Sequence, residues 1–81
     1  MAKTFHLTIA RVGENLFDGQ AVRVTLPGEE GVFTVMANHE AFVTPLAKGN
    51  AVVESEDGTE HTFSIEKGIA EVSSNQATVL L

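Results

Sequence analysis

Apolar and polar residues alternate along most of this chain, and turn-forming residues interrupt the alternation every few positions. Phe5, Leu7 and Ile9 occupy every second position of the first such segment. Val22 and Val24 repeat the pattern further along. A period of two is typical of strands that bury one face, and no segment of about ten residues has helical periodicity. The pattern predicts an all-β domain, a flattened β-sandwich or barrel of about eight to ten short strands.

The turn residues predict where individual strands end. Turns are expected at Asp18-Gly19 and Pro27-Gly28, and Asp57-Gly58 is expected to close a two-residue hairpin. Pro45 has no N–H to donate, so we expect its end of the strand at a sheet edge. Residues 32–36 are apolar almost throughout, which favours a central strand with both faces covered.

Two polar turns flank this apolar segment, one at residues 27–31 and the other at residues 37–40. A strand rises about 3.3 Å per residue, so the segment separates the turns by about 16 Å. We therefore expect the two turns at opposite ends of one strand unless the chain bends.

The length and charge of the chain exclude several classes of function. Its 81 residues suffice for one domain, residues 1–81, and it contains no cysteine. The net charge is −6 and the five basic residues are scattered singly, which disfavours binding to nucleic acid or anionic lipid. No apolar run reaches the roughly 18 residues that span a bilayer, so we expect a cytoplasmic protein without direct membrane insertion. A positively charged partner suits this charge, although a −6 surface also serves solubility alone.

The residues that could carry chemistry are not arranged for it. His6, His39 and His61 have no metal-ligand spacing, and none of the four serines lies in a nucleophile motif. Glu29 and Glu30 lie at a predicted turn, where solvated carboxylates are the ordinary outcome. The glycines are spread singly and form no phosphate-binding loop. The sequence predicts a non-catalytic protein with no cofactor, no metal and no small-molecule substrate.

Three ordered blocks of the chain resemble a known family. They are residues 5–9 followed by 16–19 (FHLTI and LFDG), residues 26–46 (LPGEEG through His39), and residues 67–80 (KGIAEV through NQATVL). Their order is similar to that of the N-terminal β-sandwich domain of the epsilon subunit of F-type ATP synthases, called delta in mitochondria. The match runs without gaps over nearly the whole chain, and we expect the C-terminal helical domain of that family to be absent.

The resemblance implies a non-catalytic subunit of the central stalk, or rotor, at the cytoplasmic face of the bacterial cell membrane. Such a subunit couples rotation of the ion-driven c-ring to ATP synthesis or hydrolysis through contacts with the gamma subunit and the c-ring. The family's inhibitory and nucleotide-binding functions belong to the helical domain and are not expected here.

Contact residues follow from the same resemblance. Glu29, Glu30 and Gly31 are expected to contact the c-ring, whose loops carry an arginine in this family. The expected contacts with gamma or the c-ring are Asn38, His39 and Thr44.

The chain departs from the family pattern in both turns. Val32 stands where the family has an acid, so Glu29 or Glu30 would have to supply that charge. Asn38 replaces a glycine before the histidine, and asparagine tolerates the positive φ that such a turn requires. The alternative is a free-standing β-sandwich adaptor or small-ligand-binding module, which would need a deep apolar pocket with converging polar groups.

Overall fold

Eight β-strands make up the regular structure of residues 3–81, the part of the chain that the computed structural model describes. The prediction of an all-β domain is confirmed. The strands are β1 (Phe5–Arg11), β2 (Glu14–Gly28), β3 (Gly31–Met36), β4 (Phe42–Leu46), β5 (Gly49–Ser55), β6 (Glu60–Ile65), β7 (Gly68–Ser73) and β8 (Gln76–Leu80).

The longest strand, β2, has 15 residues and connects the two layers of a flattened sandwich. Its first half pairs with β1, and its second half pairs with β3 and β5. One layer continues from β1 through β8 and β7 to β4, and the other runs from β3 across β2 and β5 to β6. Within the described residues, β1 and β8 are parallel and the other pairs are antiparallel.

The inward faces of the strands form one apolar core between the layers. Phe5, Leu7 and Ile9 are buried, as the alternation predicts, whereas the intervening His6 is exposed. The other core residues are Ala21, Val24, Leu26, Val35, Leu46, Ala51, Val53, Ile65, Ala70, Val72, Ala77 and Val79.

One strand departs from its predicted inward face. The pairing of β2 with β5 shifts register between Ala21 and Arg23. As a result Ala21 is buried and Val22 is only half-buried, although the alternation had placed Val22 inward. A bulge of this kind adds one residue to a strand and so exchanges its faces, which a strict period of two does not reveal.

The prediction that residues 32–36 form a central strand is wrong. Strand β3 pairs only with β2 among the described strands, so it lies at a sheet edge. Val32 is 73% exposed and Met36 is 52% exposed, whereas Val35 is buried. A short apolar run is typical of a central strand that is buried on both faces. It also occurs in strands that expose one apolar face to a partner, and the sequence of the run does not distinguish the two cases.

Two of the predicted turns are also wrong. Asp18 and Gly19 remain in β2, where they pair with β1 in the antiparallel ladder. Pro27 and Gly28 remain in β2 as well, and the turn follows them at residues 29–30. Turn-forming residues can stay extended when a neighbouring strand satisfies their backbone hydrogen bonds, as β1 and β3 do here.

The hairpin between β5 and β6 is confirmed, but four residues, 56–59, lie between the strands rather than two. The Ser55 N–H donates to the Thr59 carbonyl at 2.9 Å, and the Gly58 N–H donates to the Ser55 carbonyl at 2.9 Å. Gly58 has a φ of +88°, which glycine adopts without strain. Hydrogen bonds from the Thr59 N–H and the Ser55 hydroxyl to the Asp57 carboxylate lower the pKa of Asp57 to about 2.

The edge position predicted for the Pro45 end of its strand is wrong, because that end of β4 lies between β7 and β2. Pro45 pairs with Ile69 of β7 on one side. On the other side, β4 pairs with β2 only at Leu46 and Gly28. Few ladder bonds join β4 to β2, so a residue without an N–H is tolerated there.

Candidate partner-binding turns at the two ends of β3

The turn between β2 and β3 presents two carboxylates to solvent. Glu29 and Glu30 are its two residues, and Gly28 pairs with Gly31 at its base. Gly31 has a φ of +136°, a conformation that side chains rarely adopt, which explains the glycine. Both acids are exposed, and none of the ion pairs within residues 3–81 includes either of them. The acidic turn, residues 29–31, therefore has two carboxylates that another molecule can contact.

Hydrogen bonds to β4 hold the base of the acidic turn. The Glu29 N–H donates to the Pro45 carbonyl at 3.2 Å, and the Ala47 N–H donates to the Pro27 carbonyl at 2.8 Å. The carboxylates thus project from a backbone that is bonded on both strands, which limits the motion of the turn.

The turn between β3 and β4, residues 37–41, carries the histidine. The His39 N–H donates to the Met36 carbonyl at 3.3 Å and closes the turn. Asn38 has a φ of +63°, so the expectation that asparagine substitutes for glycine at this point is confirmed. We call residues 37–41 the histidine turn.

Asn75, which lies in the turn between β7 and β8, positions the histidine turn. Its Oδ1 accepts the Asn38 N–H at 2.8 Å, and its Nδ2 donates to the Thr4 carbonyl at 3.1 Å. Its own carbonyl accepts the His6 N–H at 3.3 Å. One side chain therefore joins two turns and the entry to β1. No local feature of the sequence pairs Asn75 with Asn38, a residue 37 positions away.

The ring of His39 is held from two directions. Its Nδ1 lies 2.8 Å from the Glu40 carbonyl oxygen. Its centroid lies 5.0 Å from that of Phe42, and Phe42 lies 5.4 Å from Phe33 in an edge-to-face arrangement. Phe33 and Phe42 pack against the core, so this aromatic row ties the exposed histidine to the body of the domain.

The predicted contact residues fall into separate places. Glu29 and Gly31 lie at one end of β3, whereas Asn38 and His39 lie beyond the other end. The register of β3 with β2 is continuous over the whole strand, so the strand does not bend the turns together. The expectation that the turns lie at opposite ends of one strand is confirmed. Thr44 belongs to neither turn; it lies half-buried within β4, paired with Ala70.

An apolar row on the outer face of one layer was not predicted. Pro45 of β4, Ile69 of β7 and Leu80 of β8 are paired side by side across three strands. Ile69 is 41% exposed and Leu80 is 52% exposed, and Val43, two residues before Pro45, is 59% exposed. Contiguous exposed apolar residues of this kind are typical of surfaces that another protein covers.

The depressions in the surface are open rather than enclosed. One of about 410 Å³ is lined by Gln20, Ser55, Glu56 and Asp57. Another, of about 280 Å³, has Arg11, Ser64, Glu66 and Lys67 beside Leu81. A third, of about 290 Å³, has Val22, Met36 and Ala37 beside Lys3 and Arg23. None of the three is the deep, enclosed apolar pocket that a small-ligand-binding module would need. The described residues contain no group of three or more metal-ligating side chains and no helix able to cross a bilayer.

Comparison with known proteins identifies the family. Residues 4–81 match the model of the ATP synthase delta/epsilon chain β-sandwich domain. The chain is 34% identical over 80 residues to the ATP synthase epsilon chain of Clostridium novyi, covering 99% of this chain and 61% of that protein. It is 36% identical over 80 residues to that of Hyphomonas neptunium, covering 99% of this chain and 59% of that protein. The chain thus spans about three fifths of the length of these relatives.

Solved structures share the fold. A mitochondrial ATP synthase from Euglena gracilis, in a structure that includes the c-ring, contains a chain that matches 95% of this one with a TM-score of 0.89 and 29% identity. The match covers 49% of that chain. A central stalk and c-ring structure from Tetrahymena thermophila matches 98% of this chain and 63% of its own, with a TM-score of 0.77. At 13% identity, the second likeness shows the fold alone.

Proposed function

This chain belongs to the family of ATP synthase delta/epsilon chain β-sandwich domains, and from that membership we propose that it is a non-catalytic rotor subunit of an F-type ATP synthase. In the central stalk it couples rotation of the ion-driven c-ring to ATP synthesis or hydrolysis. Its place is the cytoplasmic face of the bacterial cell membrane, as a peripheral subunit held by protein partners. The family match over residues 4–81 carries the proposal.

The physical properties of the domain suit this role. A coupling subunit transmits force between partners, so it needs a stiff body and two contact surfaces rather than reactive groups. Fifteen buried hydrophobic residues fill one continuous core, and no buried polar side chain among the described residues lacks a hydrogen-bond partner. Close-packed cores of this kind resist deformation.

We assign the two turns to different partners. The acidic turn at Glu29, Glu30 and Gly31 contacts the c-ring, where its free carboxylates meet an arginine of the loops. The histidine turn, with Asn38 and His39, contacts gamma. Contacts at opposite ends of β3 allow both partners to bind at once, which a rotor subunit requires.

Thr44 is assigned to gamma through its strand alone, because it is half-buried and lies on the opposite face of β4 from Val43 and Pro45. It lies on β4, which begins directly after the histidine turn and carries part of the apolar row. The exposed Val43 and Ile69 supply the apolar area that a lasting contact with gamma needs.

The folded domain is expected to form a stable complex with the gamma subunit of the same organism at micromolar concentration. Size-exclusion chromatography of the mixture measures the complex, and circular dichroism of the domain alone confirms that it is folded. If the domain and gamma are both folded and form no complex when mixed, the proposal is wrong.

Reversing both charges of the acidic turn, with Glu29→Lys and Glu30→Lys, is expected to weaken association with the c-ring roughly tenfold. Two attractions are removed and two repulsions with the partner's cationic loops replace them. ATP-driven proton pumping by the reconstituted complex measures the loss of coupling. The difference between the variant and the wild type should be larger at low salt, where charges are less screened.

The matched control reverses the same number of charges elsewhere, with Glu56→Lys and Glu60→Lys. Both glutamates are exposed, and both lie at the end of the β5–β6 hairpin that is remote from the acidic turn. The control should pump like the wild type. Equal pumping by both double variants would show that the acidic turn makes no electrostatic contact.

A further inference from the structure

The imidazole of His39 is fixed in one protonation pattern by its neighbour. Its Nδ1 lies 2.8 Å from the carbonyl oxygen of Glu40. A carbonyl oxygen has lone pairs and no hydrogen, so it can only accept. The hydrogen of the neutral ring therefore sits on Nδ1, and Nε2 carries a free lone pair.

The position of Nε2 is fixed as well. Phe42 lies against the ring at 5.0 Å between centroids, and Phe33 supports Phe42 at 5.4 Å. Asn75 holds the backbone of the same turn through the Asn38 N–H. His39 is exposed, and none of the hydrogen bonds within residues 3–81 uses its Nε2. Nε2 of His39 is thus an acceptor without a partner within the described residues, and Phe42 and Asn75 support the turn that carries it.

The other histidines use their rings differently. His6 lies 2.6 Å from Asp18 through Nε2 and 3.4 Å from Gln20 through Nδ1, so its two nitrogens have partners in the same chain. His61 is half-buried and stacks on Phe63 with its ring centroid 6.5 Å away. The combination of a fixed tautomer and an open nitrogen belongs to His39.

We propose that His39 binds gamma through Nε2 as a hydrogen-bond acceptor, so that the group it meets is an N–H or O–H donor. This inference rests on the proposed function, because it assumes that gamma covers the histidine turn. A lysine or arginine N–H is the favoured donor, since the chain carries a net charge of −6. A carboxylate or a carbonyl oxygen at this point could accept a hydrogen bond from Nε2 only if the ring were protonated on both nitrogens.

Two isosteric substitutions separate the two nitrogens. The amide oxygen of His39→Gln reaches about as far as Nε2 and keeps an acceptor there. The amide nitrogen of His39→Asn reaches about as far as Nδ1, keeps the bond to the Glu40 carbonyl and removes the acceptor. His39→Gln should retain affinity for gamma within about threefold. The affinity of His39→Asn for gamma should fall roughly three- to tenfold, the usual contribution of one hydrogen bond.

Titration calorimetry with gamma measures these affinities, and thermal melting of each variant alone reports on folding. Nitrogen NMR of the isolated domain provides a readout that does not depend on gamma. It should show hydrogen on Nδ1 and none on Nε2 in neutral solution, and the Nε2 resonance should shift when gamma binds.

Each outcome decides between the inference and the function on which it rests. Hydrogen on Nε2 in the free domain, equal loss in both variants, or a loss confined to His39→Gln would overturn the acceptor role. If wild-type domain with the expected NMR pattern fails to bind gamma at all, the proposed function is wrong and the acceptor has no partner there.

Discussion

Replacing Leu26 with alanine is expected to lower the free energy of unfolding by about 2–5 kcal/mol, the usual cost of a buried leucine. Leu26 is 0% exposed and lies in the half of β2 that pairs with β3. A domain of 81 residues has a total stability of roughly 4–12 kcal/mol. The cavity left by this one side chain should therefore remove a large part of the free energy of unfolding. We expect the variant to be partly unfolded at 37 °C.

Urea unfolding followed by circular dichroism measures the loss for the Leu26→Ala variant. The matched control is Val32→Ala on the same hairpin, because Val32 is 73% exposed and belongs to the outer face. The control should change the free energy of unfolding by no more than about 0.5 kcal/mol. A loss at Leu26 as small as at Val32 would contradict the core assignment of β2.

Gly28→Ala is expected to destabilise the domain by about 1–3 kcal/mol, because the new Cβ has no room. That atom would lie 2.7 Å from the Gly31 carbonyl oxygen and 3.0 Å from the ring of Phe33. The oxygen belongs to the backbone directly opposite, so it can move away only if the β2–β3 hairpin opens. Opening the hairpin displaces Glu29 and Glu30, so under the proposed function affinity for the c-ring should fall along with stability.

Hydrogen exchange of the amides in β3 measures this opening, and urea unfolding measures the stability. Gly19→Ala is the control, since Gly19 lies in the same strand and its Cβ would meet only Phe17 at 4.0 Å. That substitution should be close to neutral, because alanine fits an extended backbone. Faster exchange in the control than in Gly28→Ala would argue against a steric cause at Gly28.

The acceptor role of His39 and the charge of the acidic turn differ in what the sequence reveals about them. Glu29 and Glu30 could be placed in an exposed turn from their neighbours alone, and the structure leaves both of them unpaired within residues 3–81. The tautomer of His39 depends on a carbonyl and on Phe42, whose positions follow from the path of the histidine turn. No residue type predicts such an arrangement.

Local sequence patterns are sufficient to predict the all-β class, the inward face of β1 and the turn chemistry at Asn38. These properties depend on residues within a few positions of one another: alternation decides which face a strand buries, and asparagine accepts a positive φ. The same local reasoning correctly placed the two polar turns at opposite ends of the segment that became β3.

Tertiary structure alone decided which strands have neighbours. Asp18 and Gly19 stayed extended because β1 pairs with them, and residues 32–36 became an edge strand because β2 is the one described strand that pairs with them. Asn75 acquired its role from a hydrogen bond to a residue 37 positions away. Local patterns fix the conformation that each segment prefers, whereas the pairing of distant segments determines which apolar faces are covered and which remain for a partner.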